Sequence, residues 1–222
     1  MQTSIVSKVY KYEWVKSLKN RLRPLKQRIF GKSGIYIVME KVAERAGGRE
    51  NVKLVYDLGA LDGEYTLHFA EYFPNAIIHS FEPNPVSLPL VYKRQEKYPD
   101  RIIVHPVAIS SKKGSTTYYR QPSEGMGTLI PRDNSAESFP VETNTLDSEY
   151  AGGTIDLLKI DVEGFEWEVL QGAEKTLKNT NAVFVEIDPI YKNFNGDDAK
   201  TISCLRNHFP KVERIDDLYF SR

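Results

Sequence analysis

Residues 55–66 read VYDLGALDGEYT, and this stretch decides the fold of the chain. It begins inside an apolar run, 52–57, that predicts a first β-strand, and it continues into a pattern that predicts a helix over 63–73. A turn that contains Gly59 and Gly63 joins the two. A strand that passes through an acid, Asp57, into such a turn and then a helix is typical of nucleotide-type ligand binding in α/β sheets.

Short apolar runs alternate with longer helical patterns in the rest of the chain, and this alternation predicts a parallel sheet flanked by helices. The sequence predicts further strands at 76–82, 101–109, 114–120, 154–161 and 182–188, and a closing pair at 212–215 and 218–221. It predicts helices at 86–98, 163–178 and 197–208, and a long loop at 121–138. The fold class is therefore α/β, with a Rossmann-like, mostly parallel sheet of about seven strands and helices on both faces.

The chain has 222 residues, of which 41% are hydrophobic, and this is enough for one sizeable core. Its single cysteine, Cys204, excludes an internal disulfide framework, and its histidines show no zinc-ligand spacing. No apolar run approaches the ~18 residues of a membrane span, and the opening residues MQTSIVS lack the features of a signal peptide. We expect a cytoplasmic protein without a bound metal.

The net charge of zero hides an uneven distribution. Residues 8–32 hold nine Lys or Arg and one acid, so this segment carries +8 and the rest of the chain −8. We predict a basic helical N-terminal extension over 1–50, with a helix at 34–46 that ends at Gly47-Gly48, and one domain over 51–222. The basic segment is either a solvated face, a lid over its own acidic crevice, or a docking element for acidic lipid at a membrane surface or for an acidic polymer.

A second motif follows about 25 residues after the first. The letters FEPNP, 81–85, place Glu82 at the end of the second predicted strand. A carboxylate at this position can accept hydrogen bonds from both hydroxyls of a ribose. The alternative is that the glycines serve only as turn residues and Glu82 as the acid at a helix start. The ordered pair of motifs predicts an adenosine-type ligand.

The charge of the turn indicates which adenosine ligand fits. Leu61 and Glu64 stand where a dinucleotide site of the G-x-G-x-x-G kind, counted from Gly59, has its further glycines. Carboxylates of Asp62 and Glu64 at the helix start would repel a pyrophosphate. S-adenosylmethionine suits the turn better, because it carries a ribose, an ammonium and a sulfonium but no phosphate. An NAD-dependent oxidoreductase stays the alternative.

The chain also resembles a known family, the FkbM-type S-adenosylmethionine-dependent methyltransferases. The resemblance covers about 52–188 and rests on the blocks VYDLGALDGEYT, FEPNP, VAISSKKG, TLD and DLLKIDVEGFEWEVLQGA. It implies that Glu82 binds the ribose and that 107–109 borders the adenine. Where members often have Asn before a polar residue, this chain has Leu61. The candidate cofactor-binding residues are Asp57, Gly59, Ala60, Asp62, Gly63, Glu64, Tyr65, Thr66, Glu82, Pro83, Asn84, Ala108, Ile109 and Asp161.

The fourth strand carries the candidate catalytic residues. Lys159 and Asp161 lie two positions apart on a strand and therefore on one face, and a lysine inside the apolar run IDLLKIDV is costly to bury unless it is paired. Asp161 and Glu163 face the crevice in which open α/β sheets bind ligands. Either acid can orient or deprotonate an acceptor hydroxyl, with Lys159 fixing the geometry. Alternatively, Glu163 only favours the helix dipole and Lys159 only neutralises its neighbours.

These patterns predict an O-methyltransferase that uses S-adenosylmethionine, with S-adenosylhomocysteine as product. The resemblance favours a hydroxyl on a sugar, a glycan or a secondary metabolite as acceptor. A nucleic-acid base is disfavoured, because DPIY, 188–191, departs from the D-P-P-Y signature and follows the fifth strand rather than the fourth. A non-catalytic protein that binds an adenosine ligand and docks on a polyanion is the other alternative.

Overall fold

The computed structural model describes residues 34–120, 127–131, 137–187, 198–215 and 218–221. The chain forms two compact units, Met1–Ile37 and Val38–Arg222, and the first is described only for residues 34–37. The predicted basic segment 8–32 lies outside the described residues, as does DPIY. In the described ranges, no helix combines the length and the apolar character needed to cross a bilayer.

The strands and helices alternate as the sequence predicts. The strands are β1 Leu54–Leu58, β2 Ile77–Phe81, β3 Ile102–His105, β4 Ala108–Ile109, β5 Gly114–Arg120, β6 Gly127–Thr128, β7 Glu137–Asn144, β8 Leu157–Ile160, β9 Val183–Glu186, β10 Val212–Ile215 and β11 Leu218–Ser221. The helices are α1 Gly34–Ala46, α2 Glu64–Tyr72, α3 Leu88–Gln95, α4 Leu146–Glu149, α5 Glu166–Gln171, α6 Glu174–Lys178 and α7 Asp198–His208. The predicted end of α1 is confirmed, because Gly47 follows with φ 75°.

Seven strands form the main sheet, in the order β10-β11-β9-β8-β1-β2-β3. Strands β9, β8, β1, β2 and β3 are parallel to one another, whereas β11 runs antiparallel to both β9 and β10. The predicted mostly parallel, seven-stranded sheet is thereby confirmed.

The strand order reverses between β1 and β8. The chain moves outward from β1 through β2 to β3 and then returns to β8 on the other side of β1. Because such crossovers are right-handed, α2 and α3 lie on one face of the sheet and α5 and α6 on the other. The carboxyl ends of β1 and β8 therefore border the crevice in which sheets of this kind bind ligands.

The predicted third strand, 101–109, is wrong in its second half. β3 ends at His105, because Pro106 has no N–H to donate and the N–H of Val107 turns back to the carbonyl of His105 at 2.9 Å. The next residues form β4, which belongs to a separate four-stranded sheet of order β4-β7-β5-β6. This small sheet also contains β6 and the start of β7, which lie inside the predicted loop 121–138.

The predicted helix 163–178 is also wrong as one element. It starts only at Glu166, because the two residues before Phe165, Glu163 and Gly164, have φ of 55° and 95°. It breaks after Gln171, and the carboxylate of Asp147 caps the second piece by accepting the N–H groups of Lys175 and Thr176 at 3.0 and 2.8 Å. Two short helices, α5 and α6, replace the long one.

Candidate active site

Lys159 is the central side chain of the crevice. It lies on β8, in which all four residues are buried, and has no exposed surface. Its Nζ lies 3.0 Å from Oδ1 of Asp57 and 3.4 Å from Oδ2 of Asp161, and it donates to the carbonyl of Gly59 at 3.2 Å. Burial alone lowers the pKa of Lys159, but the two carboxylates outweigh burial and raise it. The prediction of a paired, buried lysine is confirmed.

Asp57 joins three elements at the floor of the crevice. Its side chain is fully buried at the end of β1, and its Oδ2 accepts the hydroxyl of Thr66 on α2 at 2.6 Å. The same hydroxyl lies 2.9 Å from that of Ser80 on β2. With Lys159 on its other oxygen, Asp57 links β1 and β8 of the sheet to α2.

The turn after β1 lies against the turn after β8. Gly59 has φ 76°, and a Cβ at this position would lie 1.8 Å from the carbonyl oxygen of Asp161. The N–H groups of Gly59 and Ala60 both donate to the carbonyl of Phe81, at 3.0 and 3.1 Å. Glycine is therefore required at 59, both by its left-handed backbone and by the close approach of β8.

The remainder of the turn carries the acids that the sequence places at the helix start. The Oδ1 of Asp62 accepts the N–H of Glu64 at 3.1 Å, and Gly63 has φ 75°. The first amide of α2 is therefore already bonded to a carboxylate, which leaves this helix start poorly suited to a phosphate. Leu61 has φ 55°, a conformation that asparagine tolerates better than leucine.

Glu82 follows β2 and closes the crevice on the opposite side from Asp161. Its Oε2 accepts the N–H of Leu61 at 2.7 Å, and its Oε1 accepts the N–H of Asn84 at 2.8 Å. Burial raises the pKa of Glu82 to about 7, although these two amides and Lys159 act in the opposite direction. Each oxygen keeps a lone pair for a further donor.

The loop after β8 holds a second pair of acids. Glu163 has φ 55°, and its carbonyl accepts the hydroxyl of Thr128 at 2.7 Å. Oε1 of Glu166 accepts the N–H of Gly164 at 2.9 Å, and burial raises the pKa of Glu166 to about 7. Two turns with left-handed, non-glycine residues, at 61 and 163, therefore follow β1 and β8. Strained residues of this kind cluster at functional sites.

Tyr118 on β5 is a residue of this site that sequence reasoning missed. It is 6% exposed, and burial together with the carboxylates of Glu82 and Glu163 raises its pKa. The side-chain amide of Asn84 and the charge of Arg120 lower the pKa of the phenol but do not offset burial. The alternation of GSTTYYR indicates a strand but does not indicate that one face of that strand reaches the crevice.

The other predicted residues lie near Lys159, beside Glu82 or in the small sheet. Tyr65 places its ring centroid 5.5 Å from Nζ of Lys159, and Pro83 is half-buried between Glu82 and Asn84. Ala108 and Ile109 are buried in β4. Ala108 packs with Tyr118 in the core of the small sheet, so this segment reaches the crevice through the tyrosine.

Residues 57–218 match the model of the methyltransferase FkbM domain. The chain is 26% identical over 182 residues to the hexuronic acid methyltransferase AglP of Haloferax volcanii, a match that covers 78% of this chain and 72% of that protein. It is 30% identical over 155 residues to the 2-O-methyltransferase NoeI of Sinorhizobium fredii, with 60% of this chain and 62% of that protein covered.

Two solved structures share the fold at 10% sequence identity. A putative rRNA methylase from Clostridium thermocellum superposes with a TM-score of 0.53 over 85% of this chain and 93% of that one. A putative caffeoyl-CoA O-methyltransferase from Staphylococcus aureus superposes with a TM-score of 0.52 over 96% and 98%. At this identity the likeness shows the α/β fold alone.

Proposed function

The chain belongs to the FkbM methyltransferase family, and from that premise we propose that it transfers a methyl group from S-adenosylmethionine to a hydroxyl group of a sugar or glycan. One observation carries the proposal. Carboxylates at the ends of three adjacent strands, Asp57, Glu82 and Asp161, converge on one crevice around a single buried lysine. The names of two relatives, AglP and NoeI, support an oxygen acceptor on a sugar.

The residues of the crevice fit S-adenosylmethionine by charge. Among the site residues that the structure describes, Lys159 is the one buried cation, and Asp57 and Asp161 already pair with it. The remaining acids suit a ligand with an ammonium and a sulfonium and disfavour a pyrophosphate, which argues against a nicotinamide dinucleotide. Glu82 would hold the ribose, and the turn 59–64 would hold the amino-acid end of the cofactor.

When bound, S-adenosylmethionine would supply a methyl group activated by the sulfonium, and the acceptor oxygen would displace a neutral thioether from that methyl carbon. The protein has to align the acceptor oxygen, a contribution of several kcal/mol in well-oriented reactions. The acceptor proton goes to a carboxylate, either Asp161 or Glu163, which adds about 10²- to 10⁴-fold. Lys159 has no exposed surface and would act by holding Asp161 in place.

The assay of this function uses purified protein, S-adenosylmethionine and three probes: the methyl glycosides of a neutral hexose, a 6-deoxyhexose and a hexuronic acid. We expect calorimetry to show cofactor binding and mass spectrometry to show one added methyl group on at least one probe. Binding without transfer to any probe would favour the non-catalytic alternative. Absence of binding at millimolar cofactor would refute the assigned site.

Cofactor affinity is expected to depend on pH through Glu82. Since burial raises its pKa to about 7, the carboxyl is protonated below that pH and accepts ribose hydroxyls only weakly. Above it, the carboxylate is ionised and accepts them fully. The dissociation constant measured by calorimetry should therefore be about tenfold lower at pH 8 than at pH 6.

Two variants decide whether Glu82 is the responsible group. Glu82→Gln should abolish the pH dependence and weaken binding at pH 8. Glu166→Gln is the matched control, because burial raises the pKa of Glu166 to the same value while its carboxylate bonds the N–H of Gly164. If the dependence on pH survives in Glu82→Gln and disappears in Glu166→Gln, the ribose assignment is wrong.

A further inference from the structure

The small sheet touches the crevice through one hairpin, formed by β5 and β6. These strands pair antiparallel, with Tyr119 opposite Thr128 and Arg120 opposite Gly127. Tyr118 and Thr128 are 6% and 1% exposed. The hydroxyl of Thr128 bonds the carbonyl of Glu163, which follows β8 of the main sheet, so the hairpin is in contact with the candidate active site.

Thr128 holds the backbone of Glu163. Its hydroxyl donates to the carbonyl of Glu163 at 2.7 Å and accepts the N–H of Ile130 at 3.2 Å. Glu163 has φ 55° and is followed by Gly164 with φ 95°. A non-glycine residue in the left-handed region persists only where the surroundings hold it, and the buried hydroxyl of Thr128 is one such constraint.

The residue type at 163 indicates why the strain is kept. Glycine would adopt φ 55° without strain and could accept the same hydrogen bond with its carbonyl. The helix α5 begins only at Glu166, so a carboxylate at 163 lies outside its first turn and the helix dipole is a weak reason to keep a glutamate here. The side chain of Glu163 therefore has a use that offsets the strain, and its place beside Asp161 at the end of β8 locates that use in the crevice.

The ring of Tyr118 packs directly against the backbone of β6. A Cβ on Gly127 would lie 2.5 Å from Cε1 of Tyr118 and 2.7 Å from its Cζ, so the ring and β6 fix each other in place. Burial and the carboxylates of Glu82 and Glu163 raise the pKa of the phenol. The ring that supports β6 therefore lies within electrostatic reach of the acids that follow β2 and β8.

We propose that the β5–β6 hairpin positions Glu163 for the acceptor hydroxyl, with Thr128 fixing the backbone of Glu163 and the ring of Tyr118 supporting β6 at Gly127. Thr128 and Tyr118 are positioning residues, because they act through Glu163 rather than on the reacting atoms. The proposal rests on the proposed function, since it assigns the hairpin to the acceptor side of the same methyl-transfer site.

Thr128→Val tests this role, because it removes the hydroxyl and keeps the shape. We expect kcat to fall about tenfold, with the dissociation constant of S-adenosylmethionine unchanged. Thr128→Ser restores the hydroxyl and should restore kcat. Tyr118→Leu removes the ring that packs against Gly127 and should lower kcat about fivefold. The assay uses S-adenosylmethionine and whichever methyl glycoside probe the wild-type protein turns over fastest.

Thr180→Val is the matched control. The hydroxyl of Thr180 also donates to a backbone carbonyl, that of Thr176, at 2.8 Å. Thr180 lies before the amino end of β9, however, whereas the candidate active site lies at the carboxyl ends of the parallel strands. The kcat of Thr180→Val should equal that of the wild type. Amide hydrogen exchange at 163–165, which needs no acceptor, should be faster in Thr128→Val and unchanged in Thr180→Val.

The outcomes separate this proposal from the proposed function. A wild-type rate and wild-type exchange in Thr128→Val, beside a kcat lowered about 100-fold in Glu163→Gln, overturn the role of the hairpin and leave the function standing. An equal loss of kcat in Thr180→Val also overturns it, since the effect is then general destabilisation. A wild-type protein that methylates no probe overturns the proposed function instead.

Discussion

Replacement of Lys159 by methionine is expected to lower the free energy of unfolding by about 3–5 kcal/mol and to abolish cofactor binding. Lys159 has no exposed surface and lies 3.0 Å from Asp57, whose side chain is also fully buried. Without the ammonium, Asp57 is left as a buried carboxylate that accepts, among the described residues, one side-chain hydrogen bond, from Thr66. The turn proposed to bind the cofactor, 59–64, begins two residues after Asp57, so binding should be lost with stability.

Chemical denaturation measures the loss of stability in Lys159→Met, and calorimetry measures its loss of cofactor binding. The double variant Asp57→Asn, Lys159→Met removes the unpaired charge and should recover about half of the lost stability without recovering cofactor binding. Lys178→Met removes a lysine whose pair with Glu174, at 2.8 Å, is exposed, and should unfold like the wild type. Equal stability of Lys159→Met and the wild type would contradict the pairing argument.

Replacement of Gly59 by alanine is expected to have an effect of similar size, about 3–5 kcal/mol, and to weaken cofactor binding by at least about 100-fold. The added methyl group would lie 1.8 Å from the carbonyl oxygen of Asp161. Only a shift of the backbone can relieve such a contact, and that shift separates the turns after β1 and β8. The backbone would also be strained, since Gly59 has φ 76°.

The variant Gly153→Ala separates the effect of backbone strain from the effect of the clash with Asp161. Gly153 has φ 85° and no atom of the described chain within 4 Å of an added Cβ, so this variant carries the backbone strain without the clash. It should lose about 1–2 kcal/mol and bind the cofactor normally. If both variants lost the same stability and Gly59→Ala still bound the cofactor, the close approach of the turns after β1 and β8 would not be needed for cofactor binding.

The main sheet and its carboxylates could be predicted from the sequence because their signals are local. A buried run with one lysine, IDLLKIDV, requires an ion pair wherever it folds, and the structure supplies Asp57 and Asp161. An acid near the carboxyl end of β1, Asp57, and one just after β2, Glu82, lie at the same end of any parallel sheet. These inferences need only the alternation of side chains between the two faces of a strand and the common direction of parallel strands.

The small sheet and its contacts could not be predicted, because they depend on non-local pairing. β5 pairs with β7 across a stretch that reads as a loop, and Pro140 in β7 weakens the strand signal. The left-handed residues, Leu61 and Glu163, contradict their own conformational preferences. Only the packing of neighbouring strands imposes such conformations, so Tyr118 and Thr128 emerged from the structure alone.

The insertion point of the small sheet bears on how enzymes of this architecture diversify. Strands β4 to β7 occupy one continuous piece of chain between β3 and β8 and form a sheet of their own. Mutations in β5 to β7 can change the acceptor side of the proposed site without altering any hydrogen bond between strands of the seven-stranded sheet. Selection for a new acceptor can therefore act on β5 to β7, while the proposed cofactor contacts after β1, β2 and β8 and in β4 are under a separate constraint. Chimeras that exchange β5 to β7 between relatives should inherit the acceptor preference of the donor and the cofactor affinity of the recipient.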